Sequence, residues 1–265
     1  MTSASDQPPV PRDSTPQEVL RAIVFTIIIY AIMGMMGLIA LPSAIVSRHA
    51  ALRWCKRYCR VTLWLFRRIC GTRHEIRGEV PRDHCIVAAK HQSFLDVIML
   101  TLALPQPRFV MKRELLFIPV FGYFARRIGC VAIDRRAGGE AVRDMLAGLH
   151  DHAGEGGQVV IFPQGTRVAP GASVPYRGGV VKLYTSFDLP ITLASANTGW
   201  FWPWRGFGHK PGLAVVEFLD RIPAGLAASG LLQQIESAIE AGSDSLAREA
   251  ACGSMSADGG SAKPL

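Results

Sequence analysis

The stretch His84-Cys85-Ile86-Val87-Ala88-Ala89-Lys90-His91-Gln92-Ser93-Phe94-Leu95-Asp96 joins a short apolar run to a polar turn, and a second apolar run then continues to Leu104. The first run has strand length and the second repeats its apolar residues at helical spacing, so the segment reads as strand, loop, helix. The pattern recurs downstream. Arg108 to Met111, Cys130 to Ile133, Gln158 to Phe162, Ile191 to Ala194 and Leu213 to Phe218 read as strands. Asp96 to Leu104, Leu115 to Arg126, Gly139 to His152, Val180 to Phe187 and Leu231 to Ile239 read as helices. Strands alternating with helices predict an α/β domain: a mixed, largely parallel sheet flanked by helices.

Upstream, the 25 residues from Ala22 to Val46 carry no charge, and as a helix they would extend roughly 37 Å, enough to cross a bilayer. A re-entrant hairpin broken near Gly37 and Pro42 stays open as a second reading. Arg48, Arg53, Lys56, Arg57, Arg60, Arg67, Arg68 and Arg73 follow with no acidic residue among them. That asymmetry predicts a cytoplasmic main domain, and in a bacterium an inner-membrane location. Trp54, Tyr58, Val61, Leu65 and Ile69 recur at spacings of three and four, the pattern of a helix in the membrane interface or docked on the core. The expected organisation is a disordered tail (1–17), a transmembrane or membrane-embedded anchoring helix (18–47) and a basic amphipathic helix (48–70). A catalytic domain (71–225), a C-terminal helix (226–249) and a second disordered tail (250–265) complete it.

The net charge of +8 over 265 residues calls for an anionic partner. Nucleic acid is disfavoured, because the basic residues gather beside the apolar span and no recognition motif occurs. Membrane lipids and a phosphorylated substrate fit better. Six scattered cysteines lack metal-ligand spacing, so a reduced domain without metal is expected. No Gly-x-Ser-x-Gly elbow and no P-loop spacing is present.

In α/β sheets ligands bind beyond the carboxyl ends of strands, and three polar segments fall there. His91 with Asp96 five positions on can form a base and its orienter, while Ser93 and Asp96 also read as a capping box. Phe162-Pro163-Gln164-Gly165-Thr166-Arg167 ends another strand and offers a guanidinium fork suited to phosphate. Gly129 to Arg136 ends a third with two adjacent arginines.

These segments and Leu189-Pro190-Ile191 occur in the order and spacing of the four blocks of the glycerolipid acyltransferase family. Over residues 70–225 the chain resembles the 1-acylglycerol-3-phosphate acyltransferases. The resemblance implies direct acyl transfer from an acyl-CoA or acyl-carrier protein thioester to the free hydroxyl of a lysophospholipid acceptor, giving phosphatidic acid, with no cofactor. It implies a catalytic dyad of His91 and Asp96, acceptor phosphate contacts from Arg135 and Arg167, and a substrate-binding loop that includes Gln164, Gly165 and Thr166. Two positions depart from the family pattern. Lys90 stands where asparagine is common, and Gln164 where glutamate is common. They leave open another acceptor, such as a lyso-ornithine lipid; a non-enzymatic membrane-binding protein is the more distant alternative. For lysophosphatidic acid, Gln164→Glu is expected to keep or raise activity.

Overall fold

A computed structural model of the chain describes residues 9–134, 136–150, 156–206 and 208–258, the side chains of 254–258 excepted. Among these residues seven strands form one sheet: β1 (Thr72–Arg77), β2 (Cys85–Ala89), β3 (Pro107–Lys112), β4 (Val131–Ile133), β5 (Gln158–Ile161), β6 (Ile191–Ala196) and β7 (Gly212–Ile222). Their order is β1-β7-β6-β2-β5-β3-β4. Neighbours run parallel except β6 and β7, so β1 and β7 oppose the other five. The sheet is mixed and largely parallel, as the alternating pattern predicts.

Each strand turns successive side chains to opposite faces, and both faces of β2 are covered. Cys85, Val87 and Ala89 pack with Leu95, Ile98 and Met99 of α3 (Phe94–Ala103), Leu63 of α2 (Arg48–Leu65) and Phe25 of α1 (Pro16–Val46). Ile86 and Ala88 pack with Met145 of α5 (Gly139–His150), Val180 and Leu183 of α6 (Gly179–Phe187) and Ile235 and Ile239 of α8 (Leu231–Asp258). All five β2 residues are therefore buried. Each large aliphatic side chain buried this way contributes roughly 1.5–3 kcal/mol.

The apolar N-terminal stretch is one unbroken helix. Pro16 occupies its first turn behind a Thr15–Glu18 capping box, and the chain turns back at Ser47, not at Gly37 or Pro42. Gly37 serves packing: a Cβ there would meet Val120 Cγ1 at 2.2 Å. The C-terminal carbonyls of α1 are held by Arg127, whose Nε donates to Ala44 O at 2.7 Å and Nη2 to Ile45 O at 2.8 Å. Near the other end, Phe25 packs on Phe66 and Trp202 at ring separations of 5.1 and 5.3 Å. α1 thus lies along the domain. In α2, Cys59, Thr62 and Leu63 are buried while Arg53, Arg57 and Arg60 point outward, as do Arg67 and Arg68 in the turn Phe66–Cys70 that follows.

Several boundaries depart from the sequence reading. β1 was not anticipated. The expected helix from Leu115 to Arg126 is two pieces, a 3-10 turn (Arg113–Phe117) and α4 (Phe121–Arg127), because Pro119 lacks an amide donor and Val120 adopts φ 64°. Residues 226–230 precede the C-terminal helix, which starts at Leu231 and continues past 249 to Asp258. The tail expected from 250 is helical that far because alanine favours helix and Ala247 and Ala250 join the core. Residues 1–8, 259–265, Arg135, Phe207 and 151–155 lie outside the described residues.

Candidate active site

β2 is the central strand, flanked by β6 and β5, and its carboxyl end delivers His91. Ser93 caps α3 by accepting from the Leu95 amide at 3.1 Å. Asp96 closes the capping box, its Oδ2 accepting from the Ser93 amide at 2.9 Å and the Gln92 amide at 2.7 Å. The same Oδ2 lies 3.0 Å from His91 Nδ1, and Oδ1 accepts from the Thr198 hydroxyl. The cap and the histidine–aspartate pair are one arrangement: the helix start fixes the carboxylate that orients the imidazole. With Nδ1–H donated to Asp96, Nε2 carries the lone pair. Asp96 is 1% exposed and His91 7%, and the His91 ring stacks on Phe162 at 3.9 Å.

The amides of Gln92, Ser93 and Leu95 are thereby committed to the protein's own oxygens. A ligand oxyanion must find its donors elsewhere.

The loop after β5 is tied to the loop after β2. Val168 N–H donates to His91 O at 2.8 Å, and Gly165 N–H donates to Phe162 O at 2.9 Å. Gly165 sits at φ +68°, and a Cβ there would meet Arg177 Nε at 2.9 Å, so the turn requires glycine. Arg167 is half-buried and shares with His91 the wall of a cavity of about 460 Å³, within the roughly 300–1,000 Å³ usual for small-molecule sites. The cavity is apolar. Its walls include Ile29 and Met33 of α1, Tyr58 of α2, Ile98 of α3 and Phe124 of α4. His209 also faces it, and burial among Phe25, Phe66 and Trp202 lowers its pKa to about 4, keeping it neutral.

Of the residues expected from sequence, His91, Asp96 and Arg167 come together. Thr166 is exposed and does not line the cavity. Arg135 lies outside the described residues; its neighbour Arg136 is exposed beyond β4. Gln164 is corrected. It is 1% exposed and turns away from the cavity, its Oε1 accepting from the His91 amide at 3.4 Å and its Nε2 donating to Glu240 at 3.3 Å. Lys90 adds no free positive charge, since its Nζ is 2.5 Å from Glu240. Introducing glutamate at 164 would set two carboxylates against each other, which reverses the expectation for Gln164→Glu. Two residues went unread in the sequence: Thr198, just past the carboxyl end of β6, and Glu240 on α8. Of the aromatic side chains that follow β6, Trp200 and Phe201 are in the core and Trp204 is exposed beside Arg205 at 4.2 Å.

Residues 72–194 match the family model described as Acyltransferase. The chain is 32% identical over 159 residues to 1-acyl-sn-glycerol-3-phosphate acyltransferase of Pseudomonas aeruginosa, covering 59% of this chain and 62% of the relative. It is 30% identical over 136 residues to 1-acyl-sn-glycerol-3-phosphate acyltransferase alpha of Homo sapiens, covering 50% and 48%. The matches therefore span between about half and three-fifths of these relatives. The crystal structure of the 1-acyl-sn-glycerophosphate acyltransferase PlsC from Thermotoga maritima superposes with a TM-score of 0.71 at 18% identity, over 87% of this chain and 97% of that one. The fold is thus shared with PlsC, and residues 72–194 are similar to the acyltransferase family.

Proposed function

We propose that the protein is an O-acyltransferase that moves a fatty acyl group from an acyl-CoA or acyl-carrier protein thioester to the sn-2 hydroxyl of 1-acyl-sn-glycerol-3-phosphate. The observation that carries this reading is the His91–Asp96 pair, 3.0 Å apart, facing an apolar cavity that Arg167 also lines. His91 Nε2 takes the proton of the acceptor hydroxyl as its oxygen attacks the thioester carbonyl. The imidazolium, stabilised by Asp96, then returns that proton to the departing thiolate. Arg167 grips the acceptor phosphate, and the cavity receives hydrocarbon. A thioester is already activated, so these steps need no cofactor.

The departure at Gln164 gives little weight to a different acceptor, because that side chain faces Glu240 and the His91 amide. The test is transfer of labelled acyl groups from each donor to a panel of lyso-lipids. Lysophosphatidic acid is expected to give the highest kcat/KM. Higher kcat/KM with an acceptor lacking the phosphomonoester would overturn the acceptor assignment.

The reading includes membrane association. α1 is long and apolar enough to cross a bilayer, yet Phe25, Ile29, Ala40 and Ala44 are buried against the domain while Leu38, Ile39, Ile45 and Val46 are exposed. α2 likewise exposes Arg53, Arg57, Arg60 and Trp64. Leu38→Glu with Ile39→Glu is expected to weaken cosedimentation with anionic vesicles by at least about tenfold, since each change loses apolar burial and adds charge in the lipid. Turnover of a short-chain, soluble acceptor should persist. Unchanged vesicle partitioning would remove α1 from the lipid contact.

A further inference from the structure

α8 lies outside the segment that matches the family model, yet one of its side chains reaches beneath the site loops. Glu240 accepts two hydrogen bonds from Lys90 Nζ at 2.5 and 2.6 Å, one from the Tyr176 hydroxyl at 2.8 Å and one from Gln164 Nε2 at 3.3 Å. Lys90 is 3% exposed and immediately precedes His91. Gln164 returns the contact from the other side, accepting from the His91 amide. None of the four lines the cavity. They form a layer behind it, joining the β2 loop, the β5 loop and α8.

The four side chains are one ammonium, one carboxylate, one neutral amide and one phenol, with the Asp244 carboxyl close by. A buried ammonium requires an opposite charge nearby, whereas a second carboxylate in the same place is repelled. Two neighbours already register the charge of Glu240. Burial and then Glu240 push up the Asp244 carboxyl, and burial with the adjacent carboxylate raises the Tyr176 hydroxyl, which keeps it a donor.

We propose that Glu240 is a positioning residue of the acyl-transfer site, acting through Lys90 and Gln164 on the backbone that carries His91, and that the site requires a single carboxylate here, supplied from either 240 or 164. Lys90 and Gln164, the two departures from the family pattern, are then parts of one exchange in which α8 provides the charge. This inference rests on the acyltransferase reading above.

The experiment is a double-mutant cycle on the full chain with lysophosphatidic acid and acyl donor: wild type, Gln164→Glu, Glu240→Gln and the two combined. Each single change should lower kcat by at least about tenfold while KM for both substrates moves less than about threefold, as expected when alignment and not binding is lost. The combined change relocates the carboxylate, and kcat should return to within about threefold of wild type. A double variant no better than the worse single overturns the proposal. So does a fall in melting temperature with kcat per folded enzyme unchanged, since that describes a purely structural contact. Should Glu240→Gln fail to fold, Tyr176→Phe removes one donor and leaves the ion pair. A kcat about threefold lower is expected from that milder change, and an unaltered kcat counts against the proposal. A wild-type protein silent with every donor and acceptor would instead sink the acyltransferase reading itself.

Discussion

His91→Ala is expected to lower kcat by about 10²–10⁴-fold, the usual contribution of a positioned general base, while leaving the melting temperature close to wild type. The separation of the two effects follows from the local hydrogen bonds. Removing the ring deletes the proton acceptor, but Asp96 keeps its bonds from the Gln92 and Ser93 amides and from Thr198, so the start of α3 stays capped. Asp96→Ala strikes both. It frees the imidazole to rotate and leaves the two buried amides without their acceptor, and loss of such a cap costs about 0.5–2 kcal/mol. Its melting temperature should therefore fall where that of His91→Ala does not. Asp96→Asn separates charge from shape. The amide oxygen can still accept from the turn, yet it stabilises an imidazolium poorly, so kcat should drop by about 10³-fold or more with little change in KM. Turnover of purified His91→Ala within tenfold of wild type would show that this histidine is not the base.

The position of the polar turn was legible because a strand of five apolar residues is buried on both faces and ligands bind beyond the carboxyl ends of such strands, while the reading of His91 and Asp96 as a catalytic pair came from the family resemblance. What stayed hidden has physical reasons. β1, Thr72–Arg77, is an edge strand with most residues partly or fully exposed, so it lacks the alternation that marks a half-buried strand. Gln164 looked like a ligand-facing variant because a motif records residue type and not the direction of a side chain. That direction is set by Glu240, 76 positions away. Glu240 itself sits on an amphipathic helix, where a lone glutamate ordinarily reads as solvent-facing. Thr198 gave a weaker signal, a hydroxyl just beyond a strand at the same sheet edge as His91. The two interpretations of Ser93 and Asp96 competed in the sequence only because each was considered alone. A carboxylate with two oxygens can close a capping box and hold an imidazole at once. The same holds for α2, which docks on the core through one face and presents arginines on the other.

Arg167→Ala is expected to raise KM for the lyso-lipid by about 10- to 150-fold, with donor saturation nearly unchanged. The magnitude follows from a charge-assisted hydrogen bond of about 1.5–3 kcal/mol at about 1.4 kcal/mol per tenfold. Arg167 is suited to the task by its surroundings. It leaves a turn fixed by Gly165 and by the Val168–His91 backbone bond, and it is half-buried on the wall it shares with His91, so its guanidinium is partly shielded from water and held near the reacting hydroxyl. Arg167→Lys should recover only part of the loss. An ammonium restores the charge but not the planar fork that meets two phosphate oxygens together. A phosphate grip also predicts selectivity. The penalty should shrink for an acceptor whose phosphate is absent or esterified, because the wild type gains less from it. Kinetics at fixed donor with both acceptor types tests this directly. If Arg167→Ala weakens only the donor, this loop belongs to the thioester's side of the site. The phosphate must then be sought at the ends of β3 and β4, where Lys112, Arg113 and Arg136 crowd the same edge of the sheet.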